Sequence, residues 1–210
     1  MSSSKPNQAS GAVNYASARF LKSAKTLDQC GPDEGAEIAF AGRSNAGKSS
    51  AINRLTRQKK LARTSKTPGR TQLINFFGIG DGSIRLVDLP GYGYAKVPQA
   101  VKREWEENLS EYLNLRESIK GCVLLMDIRH PLQEFDRNFI AWTHASELPL
   151  HALLTKSDKL KRGAATNTLL KVEKEVRQLG LDEYFSIQLF SSSNGNGLEQ
   201  LQETLSAWVI

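Results

Sequence analysis

A phosphate-binding pattern is the strongest chemical signal in the sequence. Eight consecutive residues satisfy G-x-x-x-x-G-K-S and are predicted to bind a nucleotide: Gly42, Arg43, Ser44, Asn45, Ala46, Gly47, Lys48 and Ser49. Its glycines let successive backbone N–H groups face a phosphate, and the start of the following helix adds a favourable field. Lys48 can then reach the β- and γ-phosphates as the candidate catalytic residue, while the Ser49 hydroxyl can ligate Mg²⁺.

A second pattern, about 107 residues further on, indicates which base is bound. Four residues resemble the N/T-K-x-D element of GTPases: Thr155, Lys156, Ser157 and Asp158. The Asp158 carboxylate would accept two hydrogen bonds from the guanine N1–H and the N2 amino group, an arrangement that adenine cannot offer. Thr155 stands where many GTPases carry Asn, so we expect the amide that braces the phosphate loop to be missing and the nucleotide to be held more loosely.

The end of the last predicted strand supplies a third, weaker element for the base. Phe190, Ser191 and Ser192 are expected to offer backbone N–H groups to the guanine carbonyl. Serine-rich strand ends are common, so this prediction depends on the elements that precede it.

The metal-binding and switch residues lie between the phosphate loop and the guanine element at 155–158. Residues 88–91, which are Asp88, Leu89, Pro90 and Gly91, match D-x-x-G, in which Asp88 holds Mg²⁺ through water and Gly91 offers its N–H to the γ-phosphate. A second Mg²⁺ hydroxyl is expected between the phosphate loop and the strand predicted at 73–79, from Thr64, Thr67 or Thr71. Thr71 is favoured because it immediately precedes that strand, although spacing alone does not exclude Thr67.

The hydrophobic pattern predicts an α/β fold in one domain. Short apolar runs, typical of buried parallel strands, alternate with amphipathic stretches. Six strands are predicted at 38–41, 73–79, 84–88, 122–128, 151–155 and 185–190, and five helices at 48–56, 101–116, 135–146, 167–179 and 198–209. We therefore expect a mostly parallel six-stranded sheet with helices on both faces over residues 34–210, preceded by a basic, flexible N-terminal arm at 1–33.

Composition limits the class of protein and its partners. The 210 residues contain no apolar stretch long enough to span a membrane and only two cysteines without metal-ligand spacing, so we expect a cytoplasmic protein without zinc. The net charge is +6, and residues 38–80 contain nine Lys or Arg and no acidic residue. A basic span beside a phosphate-binding pattern favours a polyanionic partner such as RNA.

Together these segments resemble the EngB (YihA/YsxC) family of P-loop GTPases, of the TRAFAC class, in residues 39–50, 64–72, 87–95, 126–131 and 155–158. The resemblance implies a Ras-like domain that binds GTP and GDP with Mg²⁺, assists late assembly of the large ribosomal subunit and is needed for cell division and septation. It supports Thr71 over Thr67 and extends the nucleotide contacts to Gly69, Arg70, Thr71, Gln72 and Leu73. We expect a monomer.

Two residues bear on the mechanism. Tyr92 follows the D-x-x-G pattern where Ras-like enzymes carry the glutamine that orients the attacking water, so we expect slow intrinsic hydrolysis, stimulated by the ribosome or by K⁺. Asn45 is a candidate K⁺ ligand, the alternative being that it only caps or stabilises the loop.

Three functions compete on the sequence alone. A GTP-controlled module that binds rRNA is favoured over a GTPase that acts through a protein partner in cell division without binding RNA. An ATP-dependent kinase is disfavoured because no base that would activate an acceptor is apparent.

Overall fold

The computed structural model describes residues 12–62, 73–92 and 99–210. Within them the chain forms seven strands: β1 Arg19–Ala24, β2 Ala36–Gly42, β3 Ile74–Ile79, β4 Ile84–Asp88, β5 Ile119–Asp127, β6 Leu150–Thr155 and β7 Phe185–Leu189. Five helices alternate with them in the same residues: α1 Lys48–Leu55, α2 Gln99–Leu115, α3 Glu134–Ala145, α4 Arg162–Gln178 and α5 Leu198–Val209.

All seven strands form one sheet in the order β1-β3-β4-β2-β5-β6-β7. The pairs β1–β3 and β3–β4 are antiparallel, and every other pair is parallel. The α/β prediction is therefore confirmed. Because β2, β4, β6 and β7 run in the same direction, the predicted phosphate, switch and base elements all follow the carboxyl ends of these strands, where α/β proteins bind their ligands.

Two apolar layers cover the sheet. One packs α2, α3 and α4 against the strands, and its largest fully buried side chain is Tyr112. The other packs α1 and α5 around Phe40, Ile52 and Phe190. On α5, Leu201 and Leu205 are buried and Trp208 is partly buried, as the helical pattern predicts. The prediction of helices on both faces is confirmed.

The predicted number of strands is too low by one, because β1 lies within the segment expected to be a flexible arm. It pairs with β3 along the outer edge of the sheet. Before it, Tyr15 is buried and its hydroxyl lies 3.1 Å from the Ser206 hydroxyl of α5. Residues 12–33 are thus packed on the domain, while residues 1–11 lie outside the described residues.

The missed strand has a physical reason. Its first four residues, 19–22, are exposed, so apolar and polar side chains do not alternate as they do in a half-buried strand. A bulge between Phe20 and Lys22 further breaks the period of two.

A buried ionic cluster holds the end of the sheet opposite the predicted site. The Glu37 carboxylate at the start of β2 is fully buried. It accepts hydrogen bonds from Arg116 Nη2 at 2.8 Å, Arg85 Nε at 2.9 Å and the Tyr112 hydroxyl at 2.8 Å. Arg116 also donates to two backbone carbonyls in the segment before β2. The cluster therefore connects β2 and β4 to the end of α2.

We expect Glu37→Ala to lower the free energy of unfolding by about 3–5 kcal/mol, because it removes the nearer counter-charge of the buried Arg116 guanidinium and leaves only Asp33 at 3.5 Å. Urea unfolding of the nucleotide-free protein measures this change. The exposed Glu34 is the control, since Glu34→Ala should change stability by less than about 0.5 kcal/mol. Equal effects of the two substitutions would contradict the role given to the cluster.

Candidate functional site

The phosphate loop follows β2 directly and leads into α1, as the sequence predicts. Gly47 is the N-cap of α1 and has φ of +103°, a conformation that favours glycine. Asn45 also has a positive φ, of 64°. The Ala46 amide donates to the Arg43 carbonyl at 2.9 Å, which closes a turn inside the loop. The loop thus has the curled backbone that a phosphate cradle requires.

The guanine element braces this loop from behind. Thr155 Oγ1 lies 2.6 Å from the Ala46 carbonyl oxygen and 3.1 Å from the Met126 carbonyl oxygen. Lys156 Nζ donates to the adjacent Asn45 carbonyl at 2.8 Å. The side-chain amide is absent, as expected, but the threonine hydroxyl reaches the loop carbonyl in its place. The looser hold on the nucleotide stays a prediction.

Lys156 is held in place by Asp127 at the end of β5. The Asp127 carboxylate accepts from Lys156 Nζ at 2.9 Å and from Arg129 Nη2 at 2.6 Å. Hydrogen bonds from Arg129, followed by the one from Lys156, keep the pKa of Asp127 well below its usual value. Asp127 and Arg129 thus form an ion pair beside the guanine element, and α3 begins only after Gln133.

Asp158 is oriented by the loop after β7. Its Oδ1 accepts a hydrogen bond from Ser191 Oγ at 2.6 Å, and its Oδ2 lies 3.4 Å from Lys159 Nζ. The Ser191 hydrogen bond is the main cause that lowers the pKa of Asp158. The carboxylate therefore stays ionised, as an acceptor for two guanine donors must.

The loop after β7 corrects one detail of the predicted base contacts. The Phe190 amide donates to the Leu154 carbonyl at 2.9 Å, and the Ser191 amide donates to the Asn196 carbonyl at 3.0 Å. Phe190 itself is fully buried in the core. These two amides are thus already used inside the protein, and Ser191 contributes its hydroxyl to Asp158 instead. Ser192 follows directly in the same loop.

Lys48, Ser49 and Asp88 come together in front of the phosphate loop. The Ser49 hydroxyl lies near the Asp88 carboxylate and acts on its pKa. Burial raises the pKa of Asp88, and the Lys48 ammonium and the Ser49 hydroxyl oppose that shift. Burial likewise lowers the pKa of Lys48, against the effect of Asp88.

This arrangement fits Mg²⁺. Asp88 Oδ1 is buried and has no hydrogen-bond partner among the described residues, so a carboxylate oxygen is free beside a serine hydroxyl. Ser49 would ligate the ion, and Asp88 would hold it through water. When bound, the ion supplies positive charge to the phosphates.

The D-x-x-G segment lies against the phosphate loop. A Cβ on Gly91 would be 3.2 Å from Lys48 Nζ and 3.2 Å from the Ser44 backbone nitrogen, so a larger residue there would require the phosphate loop to shift slightly. The Ser44 amide donates to the Tyr92 carbonyl at 2.8 Å. The Leu89 side chain is buried in the core.

Several predicted residues lie outside the described residues: Thr64, Thr67, Gly69, Arg70, Thr71 and Gln72. Leu73, the first residue after this gap, is exposed, and β3 begins at the next position. Of the predicted metal ligands, the structure therefore brings together Ser49 and Asp88.

Known proteins similar to this chain agree with these elements. A family model described as "50S ribosome-binding GTPase" matches residues 37–156, which include the phosphate loop and Lys156. A curated protein of Idiomarina loihiensis, named "Probable GTP-binding protein EngB", is 56% identical over 196 residues, which are 93% of this chain and 94% of that protein. The chain belongs to the EngB family. It is a GTPase, as the resemblance in the sequence implied.

Solved structures agree with the EngB assignment. A crystal structure of a probable GTP-binding protein EngB is 26% identical, with a TM-score of 0.64, and the match covers 83% of this chain and 98% of that one. Era of Aquifex aeolicus bound to GDP and AlF₄⁻ is 18% identical, with a TM-score of 0.63 over 84% of this chain and 57% of that chain, and this likeness concerns the fold alone.

No helix among the described residues of this EngB family member is long and apolar enough to cross a membrane.

We expect Thr155→Val to weaken the binding of both GTP and GDP about tenfold, because it leaves the buried Ala46 carbonyl without its donor. Fluorescent-nucleotide titration measures both affinities. Thr155→Ser keeps the hydroxyl and should stay within about twofold of wild type. If valine binds as tightly as serine, the hydroxyl does not brace the loop.

Proposed function

We propose that this EngB family member is a slow GTPase switch that assists late assembly of the large ribosomal subunit by GTP-controlled binding to rRNA. Normal cell division and septation depend on it through this role. The observation that carries the proposal is the match of residues 37–156 to a family described as a 50S ribosome-binding GTPase. It acts in the cytoplasm as a monomer, with Mg²⁺ held by Ser49, Thr71 and, through water, Asp88.

The charge distribution supports RNA as the partner. Just after α1, Arg57, Lys59 and Lys60 are exposed, and they belong to the span at 38–80 that contains no acidic residue. Exposed Lys and Arg bind nucleic-acid phosphates by releasing counterions, so such binding weakens steeply with salt. A protein partner would not require this unbalanced charge.

The nucleotide contacts follow from the site. Asp158 accepts from the guanine N1–H and N2 amino group, and the Ser192 amide is the one of the predicted three that we assign to the guanine carbonyl. The phosphate loop contacts the phosphates, and residues 69–73 stay predicted nucleotide contacts from the family resemblance. Gly91 offers its N–H to the γ-phosphate, next to Lys48.

The binding proposal predicts that the protein pellets with purified large ribosomal subunits in a non-hydrolysable GTP analogue, and less so in GDP or without nucleotide. The bound fraction should fall as KCl rises from about 50 to about 200 mM, as phosphate contacts require. Co-sedimentation across this salt series is the measurement. If no nucleotide state supports binding while GTP binding is intact, a protein partner in division replaces rRNA.

Slow intrinsic hydrolysis follows from the place of Tyr92. Its ring stacks on Phe135, and its hydroxyl donates to Asp136. It therefore does not orient an attacking water as a glutamine would. We expect a single-turnover rate of the order of 10⁻⁴ to 10⁻³ s⁻¹ without an activator, as in Ras. A rate near 1 s⁻¹ for the isolated protein would contradict this.

Asn45 is our candidate for binding an activating K⁺. Its backbone carbonyl accepts from Lys156 Nζ, and no side chain caps α1. The alternative, that Asn45 only caps or stabilises the loop, is distinguished by the salt comparison below. A monovalent cation beside the γ-phosphate would stabilise the charge that develops in the transition state.

We expect the isolated protein to hydrolyse GTP at least about tenfold faster in KCl than in NaCl, because K⁺ stabilises transition-state charge. Asn45→Gly removes the side-chain amide without straining the positive φ at this position and should abolish the difference. GDP affinity in both salts is the control for an intact loop. Equal wild-type rates in the two salts would exclude the ion.

A further inference from the structure

Tyr92 is held at three points, which is more than a turn residue after D-x-x-G requires. Its ring stacks on Phe135 of α3, with centroids 3.5 Å apart and planes 20° from parallel. Its hydroxyl donates to the Asp136 carboxylate. Its carbonyl accepts the Ser44 amide of the phosphate loop at 2.8 Å. Only 5% of the residue is exposed. Tyr92 therefore joins the phosphate loop to the start of α3.

The receiving surface on α3 is itself fixed. Asp136 is buried, and its Oδ2 accepts the Gln133 amide at 2.8 Å, which closes the first turn of the helix. Phe135 stacks on Phe139 at 6.0 Å, one turn further along. Burial raises the pKa of Tyr92, so its hydroxyl remains a protonated donor to this carboxylate.

The segment that Tyr92 anchors begins with Gly91. A Cβ added to Gly91 would lie 3.2 Å from both Lys48 Nζ and the Ser44 backbone nitrogen. Gly91 is therefore in close contact with the phosphate loop, and a small displacement would loosen this contact. A diphosphate has no γ-phosphate for this segment to contact. Movement of Gly91 should therefore affect the triphosphate state alone.

We propose that Tyr92 is a positioning residue for GTP hydrolysis, and that its contacts with Phe135 and Asp136 dock the D-x-x-G segment on α3 and fix Gly91 against Lys48. In this role the side chain acts through the backbone of Gly91 and does not touch the attacking water. The proposal concerns the GTPase reaction and does not depend on the ribosomal partner.

A purely structural role makes a different prediction. A tyrosine that only filled the core would lower stability and weaken GTP and GDP equally when altered. A tyrosine that stood in for a water-orienting residue would be improved by glutamine, the residue that Ras-like enzymes carry there.

The test uses Tyr92→Phe, which keeps the ring stack and removes the hydroxyl from Asp136. We expect the single-turnover hydrolysis rate to fall about tenfold, with affinity for a GTP analogue reduced and GDP affinity within about twofold of wild type. Tyr112→Phe is the matched control, because it removes another buried tyrosine–carboxylate hydrogen bond, at Glu37, far from the site. That variant should lower thermal stability and leave the hydrolysis rate unchanged.

Two further variants complete the test. Phe135→Leu removes the stacked ring and should reproduce the selective loss seen with Tyr92→Phe. Tyr92→Gln loses both contacts and should hydrolyse GTP no faster than Tyr92→Phe. The proposal is overturned if glutamine exceeds the wild-type rate, if Tyr92→Phe retains that rate, or if GDP and GTP-analogue affinities fall together.

Discussion

The carbonyl oxygens of Asn45 and Ala46 impose the constraint on which the site depends. A loop whose N–H groups face a phosphate turns carbonyls toward the protein, and a carbonyl that is buried there, such as that of Ala46, is costly without a donor. Lys156 and Thr155 satisfy these two carbonyls, and Asp127 holds Lys156 in turn. The residues that read the base therefore also shape the phosphate cradle, so neither half of the site is built independently.

The sheet explains how segments more than a hundred residues apart meet. The residues after β2, β5 and β6 emerge side by side because these strands are parallel neighbours. The opposite end of the strands is held by the Glu37 cluster, in which one carboxylate is shared by two arginines and a tyrosine. Charge is thus buried at both ends of β2, for stability at its start and for phosphate chemistry beyond its end.

The sequence predicts those parts of the molecule that depend on local pattern. The phosphate loop, the five helices and six of the strands are confirmed, since their apolar periods and glycine spacing are encoded in contiguous residues. Strand β1 was missed because residues 19–22 are exposed and show no alternation. The bond from Thr155 to Ala46 was missed for another reason: it joins residues 109 apart, and whether a hydroxyl can replace an amide depends on a distance that no pattern contains.

The contacts of Tyr92 were also beyond the reach of sequence patterns, and they bear on the chemistry. From the sequence it is only a residue that is not glutamine, whereas the fold provides a ring and a carboxylate on α3 to receive it. A side chain stacked on α3 cannot also face the γ-phosphate, so a group other than the Tyr92 side chain must orient the attacking water. Asn45 stays the candidate proposed to contribute through a bound K⁺; its carbonyl accepts a hydrogen bond from Lys156, and the residue is exposed. A GTPase built in this way is expected to remain slow until an ion or a binding partner completes its site.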